Sequence, residues 1–194
     1  LESCGFIRKD YAFGMKKKNA VYQLMDCFTL FYFQFLKNAP TDEHYWSNQI
    51  NTPKVNNWMG LSFERVCMMH TDQIKQKLGI SGVLTDINSW YCKPDPDKGV
   101  FGSQIDMLIA RKDQVINLCE MKYSGSEYTI TEKVERGIRN KIHDLMLLTG
   151  TKYAIHPTLI TTYGLVPNSY SECVQSVVLS LIHISEPTRL ALIS

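Results

Sequence analysis

The stretch from Gly102 to Tyr123 constrains this chain most: Gly-Ser-Gln-Ile-Asp-Met-Leu-Ile-Ala-Arg, a Lys-Asp-Gln link, then Val-Ile-Asn-Leu-Cys-Glu-Met-Lys-Tyr. Two apolar runs rich in Ile, Leu and Val around a short polar link predict an antiparallel hairpin. Side chains alternate faces along a strand, so Glu120 and Lys122 project to the same side as Ile116 and Leu118. Charges on an otherwise apolar face need partners. Asp106, on the neighbouring strand, is placed to meet Glu120 there. Two carboxylates would then stand beside one cationic amine.

The flanking sequence supplies the rest of a sheet. Val83 to Tyr91 predicts a first strand, Val100 to Arg111 a second and Gln114 to Lys122 a third. A turn rich in Pro, Asp and Gly separates the first two. Ile130, Val134, Ile138, Ile142 and Leu145 recur at helical spacing, and Gly150 supplies a stop. Tyr153 to Tyr163 predicts a fourth strand, in which His156-Pro157 suggests a bulge or an edge position. Cys173 to Leu179 is a candidate fifth. Before the sheet, Met59, Phe63, Val66 or Cys67, His70, Ile74 and Leu78 mark one helical face that ends at Gly79. Glu64 lies beside that face, able to point along a seam between helix and sheet. The class is α/β: helix, three-strand meander, helix, then one strand or two.

The N-terminal third reads differently. Gly5-Phe6-Ile7-Arg8 and Ala20 to Leu24 flank a turn rich in Gly and Lys, a hairpin like the wing of a winged-helix domain. Asp26 is a plausible N-cap for a helix through Lys37, with Leu24, Phe28, Phe31 and Phe35 as its apolar stripe. The division expected is the end of a winged-helix domain and a helix (1–37), a polar linker (38–56), the α/β domain (57–178) and a tail (179–194).

Composition narrows the functional classes. A formal charge of +2 does not by itself imply nucleic acid. Basic residues do gather locally, at Lys16, Lys17 and Lys18 and again at Arg136, Arg139 and Lys141; of these Lys16, Lys17, Lys18, Arg136 and Arg139 are candidate phosphate contacts, or else solvated faces. Six cysteines without a CxxC pair argue against a zinc finger or a disulfide scaffold, which favours a reducing cytosol. The most apolar run, Phe28 to Leu36, is too short for the ~20 residues of a membrane span. There is no GxxxxGK phosphate loop in the sequence, so this chain alone is not expected to hydrolyse nucleotide.

An Asp on one strand, Glu-x-Lys on the next, and helices before and after resemble the PD-(D/E)XK nuclease superfamily, which has the restriction-endonuclease-like fold. The resemblance covers about residues 57 to 178. It implies that Asp106 and Glu120 bind Mg²⁺ (or Mn²⁺), that Lys122 positions or activates the attacking water, and that Glu64 is an accessory acid. Ile105 stands where the family often has Pro, and Gln104 where some members add an acid, which leaves a leaner metal shell. The physics agrees: Mg²⁺ prefers oxygen ligands, usually one or two carboxylates.

A wider resemblance takes in Cys4-Gly-Phe-Ile-Arg8, Asp26 to Phe33, Trp58-Met-Gly-Leu-Ser-Phe-Glu64 and the two hairpin elements. These are similar to prokaryotic AAA-type P-loop ATPases that carry an ATPase module, a winged helix and a C-terminal nuclease-like domain of unknown function. It implies that this chain is the C-terminal part, with DNA and its own upstream ATPase module as partners. ATP would then be bound only by that module. Residues 179 to 189 resemble the translation of a transposon-end sequencing adapter, so the tail, His183 included, is expected to be non-native. Two functions follow as expectations: a Mg²⁺-dependent nuclease-like domain acting on DNA, or a non-catalytic DNA- or protein-binding module of the same ATPase.

Overall fold

The structure, a computed structural model, describes residues 1–11, 13–14, 20–50 and 52–180. Lys16, Lys17 and Lys18 and all of the tail beyond Ser180 lie outside the described residues.

The chain is a mixed α/β protein. Its five-stranded sheet has the order β3 (Thr85–Cys92), β4 (Ser103–Arg111), β5 (Val115–Lys122), β6 (Ala154–Thr161), β7 (Ser176–Leu179). The first three form an antiparallel meander, and β6 and β7 continue it in parallel. The β4–β5 link turns tightly: Gln114 takes φ +67°, Gln114 N–H donates to Arg111 O, and Arg111 pairs with Asp113. That is the short polar link read as a hairpin turn.

Parallel pairing of β5 with β6 requires a crossover, and α5 (Glu132–Thr149) provides it. Gly150 closes α5 in the left-handed conformation at φ +62°. On one side of the sheet Ile116, Leu118, Leu108 and Ile105 pack with Leu145 of α5. On the other, Met107, Ile109, Cys119 and Met121 pack with Phe63 and Cys67 of α3 (Pro53–Met69) and Ile74 of α4 (Thr71–Lys77). Both faces of the middle strands are buried, so they read as almost continuous apolar runs.

Four expectations need correction. The helix before the sheet starts at Pro53, inside the stretch read as linker: Thr52 Oγ1 accepts from Val55 N–H and proline occupies the first turn, where its missing N–H has no cost. The face from Met59 to Leu78 is two helices, α3 and α4. They break at His70, whose ring Nδ1 lies 2.8 Å from the Val66 carbonyl. Phe28 is 70% exposed and leaves the predicted stripe, and after it α1 (Cys27–Phe31) widens into a π-helical segment, Tyr32–Leu36. Asp26 does cap α1, accepting from Thr29 N–H at 2.7 Å. Phe31 and Phe35 turn inward onto Trp46 and Trp58, so part of the supposed linker is packed.

The fourth concerns β6, which is an interior strand although it contains Pro157. Gln175 N–H donates to Pro157 O, so the residue faces the β7 side, and its absent donor falls one step before β7 begins pairing at Thr158 and Ser176.

The N-terminal hairpin is present, β1 (Ile7–Tyr11) against β2 (Ala20–Leu24). Phe13 N–H donates to Ser89 O of β3, and Arg65 Nε of α3 donates to Leu24 O, so the hairpin is fastened to the sheet and to the helix. Among the described residues no helix is long and apolar enough to cross a membrane.

Candidate active site

Glu120 and Lys122 lie near the C-terminal end of β5, on the face shared with Ile116 and Leu118. The Glu120 side chain is only 12% exposed, which rules out an ordinary surface pair. Lys122 Nζ donates to its Oε1 at 2.7 Å and Lys141 Nζ of α5 to its Oε2 at 2.6 Å. Burial would push the Glu120 carboxyl up, but Lys141 and Lys122 together outweigh it and hold the group below the usual carboxylate range. Burial likewise opposes the Lys122 charge, and Glu120 reverses that, so its ammonium is held above the ordinary lysine range.

Asp106 sits at an irregularity. Asn88 pairs with Leu108 and Trp90 with Ile105, so Asp106 and Met107 together oppose the single residue Ser89. This is a β-bulge, which re-aims a side chain that strict alternation would fix. Its effect shows in Ile105 and Leu108, three positions apart yet packed in the same cluster. Asp106 is one step past Met107 and Cys119, the last paired position of β4 and β5, and with Ile105 and Leu108 both on the α5 side it lines a cleft with Glu64 and Arg65 of α3. Gln104 Nε2 donates to Asp106 Oδ1 at 2.7 Å and fixes its orientation.

Glu64 approaches from α3. Phe63 beside it packs at 6.2 Å on the ring of Tyr123, just past the end of β5, which docks this turn of helix against that end of the sheet from the side opposite α5. Burial raises the Glu64 carboxyl pKa, and the negative charge of Asp106 raises it further; Lys122 pulls it down, less strongly. Glu64, Asp106, Glu120 and Lys122 therefore share one electrostatic neighbourhood. Thr161 stands opposite Lys122 in the parallel register and so on the same face. Its hydroxyl is buried and has no partner among the described residues.

Arg136 and Arg139 belong elsewhere. At about 100° per residue they lie on the far side of α5 from Lys141. Each is exposed and paired one turn back, Arg136 with Glu132 at 3.6 Å and Arg139 with Glu135 at 2.7 Å. The residue that sequence reasoning undervalued is Lys141. A signal existed: it lies on the stripe of Val134, Ile138 and Leu145, where a charge needs a partner.

Among the described residues no three His, Cys, Asp or Glu side chains converge as a ready metal-binding cluster. The donor chemistry still fits a hard divalent cation. The charge of Asp106 raises the Glu64 pKa, a crowding of like charge that a cation relieves, and the orphan Thr161 hydroxyl offers an oxygen to a water. Glu120 would join only by giving up one of its two ammonium partners. No family model matches the chain, and neither a curated protein nor a solved structure matches it.

The opposed shifts give a pH test. An acid whose folded pKa is raised binds its proton more readily when folded, so its contribution to stability grows as pH falls through that pKa. Glu64→Gln removes the cost of a buried charge at neutral pH and gains nothing once Glu64 is protonated. Urea denaturation should find Glu64→Gln more stable than wild type near neutrality, with the advantage shrinking as pH drops toward the ordinary carboxylate range. An advantage independent of pH would refute the assignment.

Proposed function

We propose that this chain is the nuclease-like C-terminal part of an AAA-type ATPase, with a restriction-endonuclease-like core that hydrolyses DNA phosphodiesters with Mg²⁺ or Mn²⁺. The observation that supports this reading is the gathering of Glu64, Asp106, Glu120 and Lys122 in one electrostatic neighbourhood, with Lys122 Nζ 2.7 Å from Glu120 Oε1. The meander followed by a helical crossover to a parallel strand is the arrangement such a core requires. The ATP-binding module would lie upstream.

In this reading Asp106 and Glu120 would hold the cation, with Glu64 as accessory acid. When bound, the cation lowers the pKa of a water and offsets charge developing on the phosphate. Gln104 orients Asp106 through its amide. Lys122, held protonated by Glu120, places a positive charge where an anionic oxygen develops. Lys141 and Lys122 keep Glu120 ionised, so the acid would serve as a ligand and not a proton donor.

The alternative is a non-catalytic DNA- or protein-binding module, favoured by the saturation of Glu120 by two ammonium groups. Supercoiled plasmid incubated with the purified chain separates the two. Conversion to nicked or linear forms in Mg²⁺ or Mn²⁺ but not in EDTA is the expected result. Salt-dependent binding without metal-dependent cleavage would favour the alternative.

A further inference from the structure

We propose that the cleft beside Asp106 is a pocket for one unpaired nucleotide, so that the chain engages single-stranded DNA or a frayed end in preference to continuous duplex. Placing a phosphodiester at Asp106 rests on the hydrolytic reading above; the stacking pocket does not.

The cleft, of about 340 Å³, opens between the β1–β2 hairpin, α3 and the β3–β4 pair, with Asp106 and Glu64 in its wall. Its volume is at the lower end of sites that enclose one small ligand, roughly 300–1,000 Å³. Two aromatic side chains from separate elements flank it: Tyr22 of β2, 59% exposed, and Tyr91 of β3, 61% exposed. Neither is a core residue; the buried aromatic of β3 is Trp90. Exposed rings from two elements lining one cleft suit stacking, which any base satisfies because every base has a π-face.

Polar and charged groups lie where a nucleotide needs them. Lys9, across from Tyr22 in the hairpin register, sets its ammonium 5.8 Å from the Tyr22 ring centroid. That contact steadies the ring and keeps a cation beside the cleft for a phosphate. The Gln104 amide spends an N–H on Asp106, which leaves its carbonyl to accept from a base edge. Gln23 of β2 brings a second amide to the same cleft. Arg65 of α3, braced on its own helix by Nη1 to Leu61 O, ties the helix wall to the hairpin wall by donating from Nε to Leu24 O, so the cleft is formed before a ligand arrives. A base within duplex is stacked and paired, and entering such a pocket would require unpairing it first.

The test is fluorescence anisotropy of a labelled oligothymidylate and of a labelled duplex of equal length, with the full chain in EDTA so that nothing is cut. The single strand should bind about tenfold tighter than the duplex. Tyr22→Ala and Tyr91→Ala should each weaken single-strand binding by about tenfold, the scale of one lost base stack. Tyr22→Phe and Tyr91→Phe should retain it, and unchanged melting temperatures show that the alanine variants fold. Duplex bound as tightly as the single strand, or affinity unmoved in both alanine variants, overturns the proposal. Tyrosine-dependent binding without metal-dependent cleavage would sustain the pocket and reject hydrolysis. Cleavage with unchanged KM in both alanine variants would do the reverse.

Discussion

Alanine at Lys122 is expected to lower metal-dependent plasmid cleavage by about a hundredfold or more, and alanine at Asp106 by at least as much. Lys122 keeps its charge because Glu120, 2.7 Å away, offsets the cost of burial. A fixed charge aimed at a developing oxyanion contributes about 10²–10³ in rate when removed singly. Asp106 supplies a carboxylate that no neighbour duplicates: Glu120 is already held by Lys122 and Lys141, and Glu64 is disfavoured as an anion by burial. Lys122→Arg keeps the charge but not its compact placement, so it should recover only part of the rate. Equal cleavage by wild type, Asp106→Ala and Lys122→Ala would reject this site.

The largest stability effect is expected at a residue outside the chemistry. Asp144 of α5 is fully buried and accepts three hydrogen bonds from β3, β4 and the loop just before β4: Ser103 Oγ at 2.6 Å, Phe101 N–H at 3.0 Å and Cys92 Sγ at 3.7 Å. Burial pushes its carboxyl up, and these bonds more than reverse the effect, so it is ionised when folded. It lies one turn after Lys141 and fixes the height at which α5 presents that lysine to Glu120. Asp144→Ala leaves the Ser103 hydroxyl and the Phe101 amide without an acceptor, at a cost of about 3 kcal/mol. For a chain of this length that is roughly a 10 °C fall in melting temperature. Asp144→Asn, which keeps an acceptor, should fall between. A loss below about 0.5 kcal/mol would show that the buried carboxylate does not pin the helix.

Much of this was legible from residue spacing. Alternation assigned Glu120 and Lys122 to the face of Ile116 and Leu118, and that face packs on α5. Gly150 ended its helix where expected, and Asp26 capped its own. What sequence could not give were features set by tertiary pairing. The bulge that re-aims Asp106 arises from a mismatch of register between β3 and β4, which no single strand's pattern reveals. Proline in β6 argued for an edge, but its missing donor falls where β7 has not yet begun to pair. Polar residues around Thr52-Pro53 read as linker, although the same pair is a helix start. For Lys141 and Asp144 the spacing signals only that a charge near an apolar helical stripe needs a partner; which strand supplies it, Glu120 of β5 or Ser103 of β4, is set by the tertiary fold.

The proposed hydrolysis requires Asp106, Glu120 and Glu64 to hold one divalent cation beside Lys122. Calorimetric titration of the purified chain with Mn²⁺ near neutral pH tests it most directly. A saturable heat with a stoichiometry of about one ion per chain is expected, lost in Asp106→Ala, whose fold should be intact because Asp106 is not among the buried core residues. No heat from the wild type, or the same isotherm from Asp106→Ala, would contradict it.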